Sequence, residues 1–152
     1  MEIVSSSVQT WSNSGDGTGF TANWSNEESF SPVYSLNISR TVIDTVKIWY
    51  WWQKYSGIIP VGRDLTLKAK IKGVNLSGDG VSIVIRCDGA VPNLQFESTQ
   101  GVVSINGTFD WSTYTVSLSN VQSNITSIFV FLVYRPKTTG KVYFDDVTLS
   151  YN

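Results

Sequence analysis

Residues 65–89 read LTLKAKIKGVNLSGDGVSIVIRCDG, and their pattern decides the class of fold. In the first half Leu65, Leu67, Ala69 and Ile71 alternate with Thr66, Lys68, Lys70 and Lys72. Alternation of this kind gives one dry and one wet face only to a strand, because successive side chains leave an extended backbone on opposite sides. After the turn-rich GVNLSGDG, Val81, Ile83, Ile85 and Cys87 share one face, and Ser82, Val84, Arg86 and Asp88 share the other. The rest of the chain follows the same grammar. YSLNIS (34–39), WSTYTVSLS (111–119) and GKVYFDDVTLSYN (140–152) are short, alternating, and bounded by Gly, Asn, Asp and Ser. Many closely spaced strands without crossover helices predict an all-β fold: a two-sheet antiparallel sandwich.

The 152 residues suit one domain, spanning 1–152, with 41% hydrophobic and only 15% charged residues. Net charge is −1, and the eleven cations are scattered, which argues against a nucleic-acid or membrane-surface partner. No apolar run approaches membrane length and no signal peptide is visible, although the chain reads as a module of something larger. The single cysteine, Cys87, excludes an internal disulfide and reads as a small buried hydrophobe. Histidine is absent, which removes Ser/His/Asp and Cys/His catalysis and the usual transition-metal sites. A glycosidase-like carboxylate pair is the one remaining catalytic arrangement, and among twelve acids some pairing arises by chance.

Two segments carry the functional signal. VKIWYWWQKY (46–55) places Ile48, Tyr50 and Trp52 on one side and Lys47, Trp49, Trp51 and Gln53 on the other. Lys47 and Gln53 need water, so alternation predicts Trp49 and Trp51 on the solvent side of the sheet; a one-residue shift of register exchanges them with Tyr50 and Trp52. SIFVFLVYR (127–135) is apolar on both faces. The row ending in Arg135 reads as the outer one, which adds Phe129 and Phe131 to an exposed aromatic surface. Flat aromatic faces stack on the C–H patches of pyranose rings, and Gln53, Arg86, Asp88 and Arg135 can hydrogen-bond the hydroxyls at the ring edges. The constellation suits a neutral polysaccharide. A protein-interaction surface on the same fold and a small polysaccharide-active enzyme are the alternatives.

The stretches YSLNISR, IPVGRDLTLKAKIKG, GTFDWSTYTVSL and GKVYFDDVTLSYN resemble carbohydrate-binding modules of the jelly-roll type, closest to families 4, 16 and 22, over roughly residues 34–150. The resemblance implies a jelly roll with a concave ligand-binding face. It also implies non-catalytic binding of a β-glucan, xylan or related plant cell-wall chain, and an appended glycoside hydrolase that the module targets to its substrate. A secreted or cell-surface location and a monomeric module go with it. Carried over residue by residue, it makes Trp49 the stacking tryptophan, with Trp51 on the same face, and assigns cleft positions to Phe129, Phe131 and Arg135. Arg40 matches a family arginine, although alternation sets it with the core residues Leu36 and Ile38, so a bulge would be needed to turn it outward. Trp111 matches a structural tryptophan. A structural calcium is implied at Asp145, with Glu2 and Glu28 as companion ligands.

Overall fold

The computed structural model describes residues 11–16, 19–31, 34–43 and 47–152. Ten strands follow in order: β1 (Ser12–Gly15), β2 (Thr21–Ser25), β3 (Ser35–Arg40), β4 (Trp49–Lys54), β5 (Leu65–Ser77), β6 (Val81–Asp88), β7 (Gln95–Ser98), β8 (Gly107–Leu118), β9 (Ser127–Tyr134) and β10 (Thr139–Tyr151). They form two five-stranded antiparallel sheets of order β1-β4-β9-β6-β7 and β2-β3-β10-β5-β8. No helix occurs among the described residues. From β3 onward the chain steps repeatedly from one sheet to the other, so that β4, β6, β7 and β9 build the first sheet and β5, β8 and β10 the second. The expected all-β sandwich is what the chain forms.

The alternation read in residues 65–89 is the alternation of the core. Leu65, Leu67, Ala69 and Ile71 of β5 face Val81, Ile83, Ile85 and Cys87 of β6 across the sandwich, all of them buried. Ile128, Val130, Leu132 and Tyr134 of β9 and Val142, Phe144, Val147 and Leu149 of β10 complete the dry layer. Burial of Cys87 pushes its thiol up to about 11, with the nearby Asp88 charge adding to the effect, so the side chain behaves as the packing residue its context predicts. Tyr134 keeps its hydroxyl inside by donating to the Gly140 carbonyl at 2.8 Å, and burial raises its pKa. The turn between β5 and β6 needs glycine at Gly78: φ is 90°, and a Cβ there would stand 1.9 Å from the Lys137 carbonyl oxygen.

Parity in β4 is opposite to the sequence expectation. Trp51 is 3% exposed and belongs to the core, where its indole N–H crosses the sandwich to donate to the Asn37 carbonyl of β3 at 3.1 Å. Trp49 points the same way, packs against the core, and is covered by Phe20, whose ring stacks on it at 5.3 Å. Its N–H donates to Asn13 Oδ1 at 3.1 Å. The reason lies at the start of the strand. Lys47 and Ile48 precede the first ladder residue of β4, so the need of Lys47 for water does not constrain the strand's faces. Gln53 does turn inward, and it is only half-buried.

The outer face of the second sheet carries a different structure. The two carboxylate oxygens of Asp145 accept from the backbone N–H groups of Phe30 and Ser31 at 2.7 and 2.8 Å, from the Ser31 hydroxyl at 2.7 Å and from the Asp146 N–H at 2.7 Å. Asp145 is 1% exposed and sits where β10 slips register against β5, with Asp146 at φ 47°. The loop it holds is also tied by Glu28 to Lys72 at 3.0 Å and by Glu27 to Lys141. Phe30 lies beneath the Lys70 ammonium and edge-on to Trp111, and Trp111 also meets Tyr143. Trp111 is thus a packing residue.

Two substitutions test these assignments. Trp51→Ala removes a fully packed indole and its cross-sandwich hydrogen bond, and should cost about 3–5 kcal/mol of unfolding free energy in a denaturant titration. Asp145→Ala leaves the part-buried N–H donors of Phe30 and Ser31 without their acceptor and should cost about 1–3 kcal/mol in the same measurement. A loss below about 1 kcal/mol in either variant contradicts the corresponding role.

Candidate functional site

The functional surface follows from the parity of β4. With Trp51 inside, Tyr50 and Trp52 face out, and β4 pairs along its length with β9, the strand that is apolar on both sides. Directly paired residues of neighbouring strands project to the same face. One row across the first sheet is therefore Ser14, Tyr50, Val133 and Ser82; the next is Ser12, Trp52, Phe131, Val84 and Ser98; a third is Lys54, Phe129, Arg86 and Phe96. Rows along a strand lie about 7 Å apart and neighbouring strands about 4.8 Å apart, so the face is a grid on the scale of a sugar ring.

Within this grid Ser14, Tyr50, Trp52, Arg86, Phe129 and Phe131 line an open hollow of about 270 Å³. Tyr50 meets Phe131 edge-on at 5.5 Å, Trp52 meets Phe129 at 6.0 Å, and Phe129 meets Phe131 at 6.3 Å. None of these four rings is fully buried. The Arg86 guanidinium lies 5.0 Å from the Phe129 centroid and 4.9 Å from that of Phe131, a cation–π arrangement that seats it over the aromatic floor. Asp88 holds the same guanidinium with two bonds of 3.0 Å, from Nε and from Nη2. Asp88 in turn accepts the Asn93 N–H at 2.7 Å. The hollow thus presents flat apolar faces beside a planar, pre-oriented donor, which can stack on a ring while hydrogen-bonding its edge.

Of the residues expected to bind, Arg86, Phe129 and Phe131 are brought together here, with Asp88 as the support of Arg86. Trp49 and Trp51 lie on the opposite face of the sheet, and Tyr50 and Trp52 occupy the place expected of them. Gln53 shares the inward face of Trp49 and Trp51 and has its Oε1 buried, so it is not a hollow residue. Arg135 follows the outer row of β9 but lies outside the hollow and donates to the Asp79 carbonyl at 3.0 Å. Arg40 is 5% exposed, with its guanidinium 4.5 Å from the Phe20 ring, on the inner side with Leu36 and Ile38 as alternation sets it. Tyr50, Trp52 and Ser14 are the liners that alternation alone did not select. The signal that finds them is the pairing of β4 with a strand whose two faces are both apolar.

The calcium expectation concerns the other sheet. Calcium needs six to eight oxygen ligands. Asp145 is surrounded by N–H and O–H donors that fill both its oxygens, and Glu28 is paired with Lys72. Glu2 lies outside the described residues. Among the described residues no group of three or more His, Cys, Asp or Glu side chains is placed to hold a metal.

No protein-family model matches the sequence, and no curated protein matches it. Solved structures share its architecture. The enzymatically active domain of bacteriophage CBA120 tailspike protein 4 superposes with a TM-score of 0.66 at 14% identity, over 96% of this chain and 20% of that one. The chain therefore spans about one fifth of the tailspike chain. A cyclase from Fischerella sp. TAU gives 0.71 at 13% identity, over 99% of this chain and 88% of that one. The CBM22-1 xylan-binding domain of Xyn10C from Paenibacillus barcinonensis gives 0.56 at 11% identity, over 94% and 86% of the two chains. At such identities the likeness is one of fold: the two-sheet sandwich is shared with the tailspike domain, the cyclase and the xylan-binding domain alike.

Proposed function

We propose that the chain is a non-catalytic polysaccharide-binding module, taking a β-glucan, xylan or related plant cell-wall chain across the outer face of the first sheet. The observation that carries this reading is the hollow in which Tyr50, Trp52, Phe129 and Phe131 surround the stacked guanidinium of Arg86. An aromatic surface of this kind left open to water needs a ligand to cover it. Its mixture of ring faces and hydrogen-bonding edges matches pyranoses better than a purely apolar partner. Similarity of fold to the xylan-binding domain supports the same reading. Asp88, beside the hollow, is committed to Arg86 and the Asn93 N–H, and among the described residues lining the hollow there is no acid for glycosidase chemistry. In this reading the module is extracellular, acts as a monomer, and holds an appended glycoside hydrolase on its substrate.

Affinity electrophoresis and calorimetry across xylan, mixed-linkage glucan, galactan and mannan test the proposal. Trp52→Ala should weaken binding of the recognised glycan by about tenfold to a hundredfold, the scale of a lost central aromatic contact, with little change in stability. Trp49→Ala should do the reverse, lowering stability while leaving affinity close to that of the parent protein. Binding lost with Trp49 and kept without Trp52 would place the site on the wrong face. The calcium that the resemblance implies is checked by thermal unfolding. With Asp145 satisfied by N–H and O–H donors, addition of EDTA should leave the melting temperature unchanged, and a fall of several degrees would restore a metal to that position.

A further inference from the structure

We infer that the glycan taken by this face carries carboxylate groups: an acidic polysaccharide containing uronic acid residues, with Lys54 as the residue that selects for the charge. The inference rests on the polysaccharide reading of the hollow and narrows its substrate class. Three strand positions on the outer face of the first sheet are charged: Lys54, Arg86 and Asp88. Asp88 is consumed by Arg86, since both its oxygens accept from the guanidinium. Lys54 makes no ion pair among the described residues; its ammonium lies 6.0 Å from the centroid of Phe129, on the opposite flank of that ring from Arg86. A chain of net charge −1 thus presents its aromatic floor with a surplus positive charge at the rim.

The third row of the grid gives that charge its geometry. Lys54, Phe129, Arg86 and Phe96 follow one another across β4, β9, β6 and β7. Phe129 and Phe96 stand two strands apart, about 10 Å, and Phe96 is 50% exposed. A sugar lying over this row has Lys54 at its β4 end, where a ring-edge carboxylate meets an ammonium that no carboxylate among the described residues neutralises. A neutral pyranose leaves Lys54 with water alone. Nucleic acid, the other polyanion that stacks on aromatic rings, needs a track of cations for successive phosphates, and one surplus lysine does not supply it.

The test is a matched comparison by calorimetry: xylan oligosaccharides with and without glucuronic acid side groups, and oligogalactan against oligogalacturonate. The acidic member of at least one pair should bind about threefold to fivefold more tightly at low salt, the size of an exposed ion pair. That ratio should fall toward one at about 1 M salt, where the screening length is ~3 Å. In Lys54→Gln the ratio should fall toward one at low salt as well. Equal binding of both members of the pairs, or an acidic preference that survives Lys54→Gln, overturns the inference while leaving glycan binding in place. Failure of all four ligands on a folded protein overturns the polysaccharide reading itself. Tighter binding of an oligothymidylate than of any glycan overturns both.

Discussion

The inward seating of Trp51 is the constraint from which the geometry of the binding face follows. An indole is large enough to cross the space between the sheets, and its N–H needs a partner once buried. The Asn37 carbonyl on the facing strand provides one, which joins β4 of the first sheet to β3 of the second. A strand has only two faces, so this single contact sends Tyr50 and Trp52 to the other side. There they meet the outward rings of β9, and the hollow forms where the two rows interlock. A slip of one residue in β4 would bury a phenol and expose the cross-sheet indole. Core packing and site geometry are therefore set by one register.

β9 plays the complementary part. Its inner row, Ile128, Val130, Leu132 and Tyr134, is entirely buried in the sandwich. Its outer row puts Phe129 and Phe131 on the floor of the hollow. A strand held on one side by a dense core and on both edges by neighbouring strands has little freedom to move. The rings it carries are consequently fixed in advance, as are Trp52 and Arg86 on its two neighbours. Binding sites built on strands lose less conformational entropy on engagement than sites built on loops. The Arg86–Asp88 pair adds to this: its two hydrogen bonds hold the guanidinium within 5.0 Å of the Phe129 and Phe131 ring centres.

Alternation within single strands made most of the fold legible. The core rows of β5, β6 and β9 are those that residue period alone selects, because each of these strands has an unambiguous dry face or sits with Arg135 beyond its outer end. The same parity put Arg40 among the core residues, and Phe129, Phe131 and Arg86 on the outer face. β4 was not legible in this way. Four consecutive aromatic residues carry no polarity difference between faces, so the decision fell to Lys47 and Gln53 at its margins. Lys47 lies before the ladder begins, and Gln53 tolerates a half-buried position near the strand's end. Deciding between the two parities requires the pairing of β4 with β9 and the facing carbonyl of Asn37, both long-range contacts that no local pattern encodes. Asp145 was singled out as a calcium ligand; the structure shows it as an acceptor of hydrogen bonds from a distant loop. Its partners, two backbone N–H groups more than a hundred residues away, were equally invisible.

The two sheets differ in how the groups on their outer faces are partnered. On the second sheet several outward charges find partners within the domain: Lys72 in Glu28, Lys141 in Glu27, Asp145 in the Phe30–Ser31 backbone. Hydrogen bonding to Lys141 holds the Glu27 carboxyl below its ordinary value, and that to Glu28 raises Lys72, as expected of groups that have found partners. The aromatic residues there, Phe30, Trp111 and Tyr143, pack on one another. On the first sheet the balance differs. Rings of its outer face line an open hollow, Asp88 is held by Arg86, and Lys54 makes no ion pair among the described residues. The outer face of the first sheet is the one on which four rings and a lysine without an ion pair among the described residues gather about a single hollow.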